Sequence, residues 1–454
     1  MSSEPSVDQP AADPTGSTTS VVVMTLRDWK LWALLGVTLV IACIAQAIGP
    51  LVIPIGVASV TLLPMIWGLL MSGFISGQPW RPIGLDVQEA ATSIMGVAVL
   101  FLGARLSFEI GPNVALLFHA GPALLLQELG HLLGTLVLAL PLAVLLRMGP
   151  ATVGATFSID REGSFAMVSE RYGADSPQYR GVLSMYVFGT IFGAIIVSLI
   201  ASLTVSLKIF DPLALAMGAG VGSGSMMAAA ASVIVAGHPE MQQQVLALSA
   251  ASNLITSVLG LYVGVWVALP LADKMYRSLS KRWKQPEEKK TTDAAAMKSA
   301  VSSLLETKTT VPMATSLVVF SVTGLAVAII AKKSFSFDMV LTFVVLSLLV
   351  ALSIGISKLT RHKVPAIVSA MTLGALATTP ISPFAHWLTH IAESVPFLSI
   401  ITGMLTIAGL GIGKDLPLLK GIGWRIIPTG IVAIAASFIL ATVVAEFALG
   451  AWGI

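Results

Sequence analysis

The sequence predicts an all-α fold, a polytopic helical membrane protein with eleven to thirteen transmembrane segments, two of them interrupted, and internal repeats. Three observations carry this. Of 454 residues, 56% are apolar and 11% are charged, about half the roughly 25% charged share of globular proteins. The apolar residues form long continuous runs, and about 20 such residues cross a bilayer as a helix. Outer-membrane strands would instead alternate over about ten residues. A soluble enzyme is excluded on the same grounds. A net charge of +3 gives no reason to expect a nucleic-acid partner.

The first 26 residues, rich in Ser, Pro, Thr and Asp, read as a disordered cytoplasmic tail with no basic stretch of a cleavable signal. Thirteen apolar segments follow, near 29–48, 51–76, 88–107, 121–147, 149–170, 181–208, 213–236, 243–272, 312–332, 337–356, 363–380, 397–413 and 424–450. They group into an N-terminal transmembrane arm (29–148), a central core (149–272), a basic cytoplasmic loop (273–311) and a C-terminal transmembrane arm (312–454). Cys43 is the single cysteine, so no intramolecular disulfide forms.

The positive-inside rule places the N-terminus in the cytoplasm and the C-terminus outside, because that orientation puts most of the 26 Lys and Arg on one side. The fifth and seventh segments carry polar and Gly-rich stretches. Either they cross fully or they are re-entrant, and re-entrance improves the charge asymmetry by one residue. A 64-residue shift lays Gly154 on Gly218, Gly173 on Gly237 and Gln178 on Gln242. If the unusual segments are re-entrant, these two units are inverted repeats, a recurrent transporter plan. A second echo relates 96–122 to 403–430 and makes the arms counterparts.

The first unusual segment holds Thr156, Ser158, Asp160, Arg161, Glu162 and Ser164. Charges at bilayer depth cost at least ~2.5–3.5 kcal/mol each unless they meet water or partners. This stretch is therefore a candidate substrate or coupling-ion site, the carboxylates carrying a proton or cation and Arg161 anchoring an anion. Its bland alternative is a surface loop with self-neutralising charges. In the second, Gly218, Gly220, Gly222 and Gly224 alternate with Ser223 and Ser225 nearby. Each glycine costs roughly 1 kcal/mol in a helix, so a break is expected, with the restarted helix offering N–H groups to an anion. Small-residue packing is the alternative. Asn253 is a candidate interhelical hydrogen-bond donor. Glu128 and His131 share a face of the fourth segment with Gln127 beside them; they are proton-coupling candidates, or a pair locking two helices. His386, His390 and Glu393 fit an external amphipathic helix better than a metal site, and Glu446 is expected to snorkel.

The stretches GATFSIDREGSFAMVSERYGADSPQYRGVLSMYVFGTIFGA (154–194) and GAGVGSGSMMAAAAS (218–232) resemble an uncharacterised bacterial multi-pass family, domain of unknown function 3100, over roughly residues 70–305. More distantly, the Gly-rich break and LGIGKDLPLLK (410–420) are similar to inverted-repeat carriers such as sodium–glutamate symporters and bile-acid-type carriers. That resemblance implies organic anions moved with sodium or protons. The chain departs from the glutamate carriers in lacking a His in the Gly-rich motif, so substrate and ion do not carry over.

These readings together point to a secondary active transporter of a small, anionic organic solute, coupled to sodium or protons, with no catalytic residues, metal or cofactor. Its partners are the solute and the lipid bilayer, and a homodimer is compatible with them. The alternatives are a passive channel or exporter and an intramembrane enzyme using Ser223 with His131 or His238.

Overall fold

The computed structural model describes residues 22–80, 83–157, 163–173, 176–283, 285, 309–361, 363–416 and 423–452. It is an all-α bundle of a polytopic membrane protein. Among the described residues, eight helices are long and apolar enough to cross a membrane, and one bent pair adds a ninth. In order, α1 is Trp29–Ile48, α2 Pro64–Gly77, α3 Leu85–Ile110, α4 Val114–His119 and α5 Gly121–Leu145. The first interrupted segment is α6 (Ala151–Thr156) and α7 (Gly163–Tyr172), followed by α8 (Pro177–Leu207). The second is α9 (Pro212–Ala219) and α10 (Gly224–Gly237), followed by α11 (Gln242–Val263) and α12 (Leu269–Arg282). The C-terminal arm holds α13 (Met313–Lys332), α14 (Phe337–Leu359), α15 (Ala366–Thr378), α16 (Ala385–Glu393), α17 (Phe397–Gly411) and α18 (Ile426–Trp452).

Two stretches differ from the sequence expectation. Segment 51–76 is not one helix: Leu51–Ile55 and Ala58–Leu62 form an antiparallel hairpin before α2 begins. Pro54 and the β-branched residues around it disfavour a helix, and Gly56 turns the chain at φ +61°. Helical structure also runs past residue 272 to Arg282. There Lys274, Arg277 and Lys281 form an exposed stripe while Ala272 is buried on the other face. A π-turn at Gly264–Ala268 joins α11 to α12, where the rod bends by 55°.

Hydrogen bonds between helix termini fix the two ends of the bundle. At one end Lys30 Nζ reaches Asp86 Oδ2 at 2.5 Å, uniting the starts of α1 and α3. α3 leads through α4 into α5, which returns to that end. There Arg425, before α18, donates to the Arg147 carbonyl at 2.7 Å. Gln285, beyond α12, donates to the Val144 carbonyl at 3.0 Å and accepts from Gly149 N–H at 3.2 Å. At the opposite end Asp211 N–H donates to Glu446 at 2.8 Å. Glu446 lies about 30 Å along α18 from its start, so this carboxylate caps a neighbouring chain turn as well as lying near the helix end.

This geometry decides between crossing and re-entrance. The first interrupted segment starts at Gly149 on the Arg147 end. Its last residue, Tyr172, lies within electrostatic reach of Asp273 and Arg277 on α12 at that same end. The second starts at Asp211 on the opposite end, and its last residue, Gly237, packs on Val205 in the final turn of α8 at that end, from which α11–α12 runs back to Arg282. Each segment enters and leaves by its own end, so the pair is re-entrant and inverted. Ser176–Pro177 opens α8, which leaves the first segment, and Asp211–Pro212 opens α9, which enters the second: Ser176 accepts from Tyr179 N–H at 3.1 Å and Asp211 from Leu213 N–H at 2.7 Å.

The arms echo each other in packing. Short α2 lies along α17, where Ser72 meets Gly409 and Ser76 Oγ donates to the Leu410 carbonyl at 2.6 Å. Short α15 lies along α3, where Gly374 meets Ser107 and Thr378 Oγ1 donates to the Ser107 carbonyl at 3.3 Å. Between the arms, Gly130 and Gly134 on α5 press against the backbone of Ala436–Ala441 on α18, the close approach that small residues four apart permit.

Candidate functional site

The second break is built from glycine conformation and side-chain caps. α9 ends at Ala219, on the order of 12 Å from its start, which sets the break well inside a 30 Å hydrocarbon core. Gly222 has φ +81°, which an L side chain adopts only with strain. A break at this depth exposes carbonyls that nothing in lipid can satisfy. α11 supplies the donors. Asn253 Nδ2 donates to the carbonyls of Gly220 at 2.8 Å and Gly222 at 3.1 Å. Ser252 Oγ caps Met217 O at 2.7 Å and Ser249 Oγ caps Ala216 O at 2.9 Å. Ser223 sits at the N-cap of α10 without capping it; its Oγ lies 3.0 Å from Ser225 Oγ. Gly224 opens α10, so the first N–H groups of this 14-residue helix face the break.

The first break is reached differently. α6 crosses α8 at Gly154 and Gly181, where a Cβ on either would overlap the other helix's backbone. Thr156 is fully buried and donates to Thr152 O at 2.9 Å. Ser164, 2% exposed, and Thr152 each keep a buried hydroxyl oxygen without a partner. Ser158, Asp160, Arg161 and Glu162 lie outside the described residues. On either side of them, Phe157 and Met167 pack on Gly264 in the π-turn.

α11 and the π-turn after it touch all three features. Asn253 serves the second break. One turn further, Thr256 Oγ1 accepts from Gln127 Nε2 at 3.2 Å, which places the polar patch of α5. The flanks of the first break pack at Gly264, in the π-turn beyond α11. The two breaks therefore lie at different heights along the bent α11–α12 rod, with Gln127 between them. Glu128 and His131 are buried at 5% and 7% exposure. His131 Nδ1 pairs with Ser437 Oγ on α18, so the histidine does join two helices. Among the described residues no group of three or more His, Cys, Asp or Glu is arranged to hold a metal ion.

Sequence reasoning missed Ser249, Ser252 and Thr256. The signal was there in outline: Ser249, Ser252, Asn253 and Thr256 recur at three- and four-residue spacing, one helix face. Only the partner carbonyls show what that face is for.

The sequence model of a family described as a protein of unknown function, DUF3100, matches residues 43–278, which include both breaks and α11. No curated protein and no solved structure matches the chain.

Proposed function

We propose that this chain, which belongs to the DUF3100 family of proteins of unknown function, is a secondary active transporter of a small anionic organic solute, coupled to sodium or protons. One observation carries the reading: two inverted re-entrant breaks and a buried polar patch all lean on α11 and the π-turn that continues it. Broken helices in inverted pairs near the bilayer midplane are how many carriers expose backbone dipoles to a solute. The α10 N-terminus with Ser223 and Ser225 suits an anion. Gly220, Gly222 and Gly224 let the solute approach the backbone, and Asn253 holds the carbonyls in place. In this reading Thr156, Ser158, Asp160, Arg161, Glu162 and Ser164 form the second wall, and Glu128 and His131 are candidates for relaying protons. The protein sits in the cell membrane with its N-terminus cytoplasmic. Among the described residues only Lys208, Lys332 and Lys333 of the Lys and Arg outside the bundle interior lie at the end of Asp211, which supports that orientation by the positive-inside rule.

The test is uptake of organic acids into proteoliposomes with an imposed sodium or pH gradient. Accumulation above the external concentration is expected, and Asp160→Asn and Arg161→Ala should abolish it while expression and Tm stay unchanged. Movement that never exceeds equilibration would replace the carrier with a pore; normal uptake by both variants would misplace the first wall.

A further inference from the structure

Away from both breaks, a second set of buried oxygens lacks donors. α17 runs on into a 3-10 turn, Ile412–Asp415. Asp415 is 9% exposed, and its Oδ1 is buried without a hydrogen-bond partner. From α3, Gln88 is 7% exposed; its Nε2 is committed to the Ile83 carbonyl at 2.8 Å, and its Oε1 has no partner. That Oε1 points into the turn, 2.8 Å from where a Cβ on Gly413 would stand. Ser76 of α2 completes the junction, its Oγ 2.5 Å from the same point, accepting from Gly413 N–H at 3.1 Å and donating to the Leu410 carbonyl at 2.6 Å.

We propose that Asp415, Gln88 and Ser76 form a site for a hard monovalent cation, a sodium ion or a proton. The donors are all oxygen, the ligand set of hard cations, with no sulfur or imidazole present. Among the described residues the charged groups of the turn are Asp415 itself and the adjacent, half-buried Lys414, with Glu89 buried beside Gln88 on α3. α2 has no titratable residue, α17 has none before Lys414, and the nearest other pair, Lys30–Asp86, is already matched. A carboxylate buried this fully is costly unless it is paired or holds a cation. The counterpart junction in the other arm shows what a closed version looks like. There Thr378 Oγ1 donates within α15 and to Ser107 O, and Gly111 packs on Thr378. Its carboxylate, Glu109 of α3, is already paired with Arg105 at 2.7 Å, and neither Ser107 nor Thr378 keeps a buried oxygen without a partner. The site stands without the transport reading; its role as the coupling site rests on that reading.

The experiment is thermal unfolding of the purified full-length protein, first exchanging choline for sodium at fixed ionic strength and pH, then varying pH without sodium. For a sodium site, Tm should rise by about 2–4 °C with saturating sodium. Asp415→Asn, which keeps the shape, should lose that rise, and Gln88→Leu should need at least ten times more sodium. For a proton site, sodium has no effect and the pH dependence of Tm is lost in Asp415→Asn. If Asp415→Asn follows the wild type in both series, or the wild type responds to neither ion, the proposal falls. Proteoliposome uptake separates the two readings: a cation response without uptake of any solute overturns only the transporter, and uptake without a cation response overturns only this site.

Discussion

The two interrupted segments break a helix at depth by different means. The α9–α10 break is made of glycines, and its stray carbonyls are taken up by Asn253, Ser252 and Ser249 of one neighbouring helix. The α6–α7 break is made of charged residues. Its flanks are held by shape: Gly154 against α8, and Phe157 and Met167 against Gly264. A glycine break needs donors from outside, because its own side chains have none to give. A charged stretch carries polar side chains of its own, and what the described flanks add is close packing.

The largest effect to look for concerns the inversion itself. With Cys43 replaced by Ser, Arg171→Cys and Lys281→Cys should be labelled from one side of the membrane and Lys208→Cys from the other. Labelling of positions 171 and 208 from the same side would break the inverted arrangement. Next is the difference in walls. Gly154→Ala meets the Gln178 carbonyl and Val182 nitrogen, backbone atoms that cannot swing away, whereas Gly218→Ala chiefly meets the Thr442 hydroxyl. Gly154→Ala should cost about 3 kcal/mol or more, above the usual overpacking penalty, and Gly218→Ala about 1 kcal/mol, read as the drop in Tm in detergent. Between these two, Asn253→Ala should cost about 1–3 kcal/mol by removing the donor to the buried Gly220 and Gly222 carbonyls and should cut solute uptake sharply. Unchanged Tm and uptake would mean that the second break does not depend on α11.

Much of this was readable from residue order. The Gly-Ser alternation at 218–225 located the second break, and the charge triplet at 160–162 marked the first segment as unlike its neighbours. Glu128, His131 and Asn253 were recognisable because polar residues in apolar helices are few. Other features were hidden. Ser249, Ser252 and Thr256 look like ordinary small-residue packing until their partners in α9 and α5 are known. Gln88 and Asp415 are separated by most of the chain, so only the meeting of α3 with the end of α17 makes them neighbours. The hairpin at 51–62 was masked by its hydrophobicity, which suits a membrane helix and an apolar strand alike.

The sequence by itself determined that this is a helical membrane protein, roughly where its segments lie, and which two are interrupted. Those properties follow from transfer energies and local propensities, and each is a sum over residues close together in the chain. Tertiary structure alone decided whether the interrupted segments cross or return. That depends on which termini meet: Gly149 with Gln285, Asp211 with Glu446. Such contacts link residues more than a hundred positions apart, and no local sum contains them.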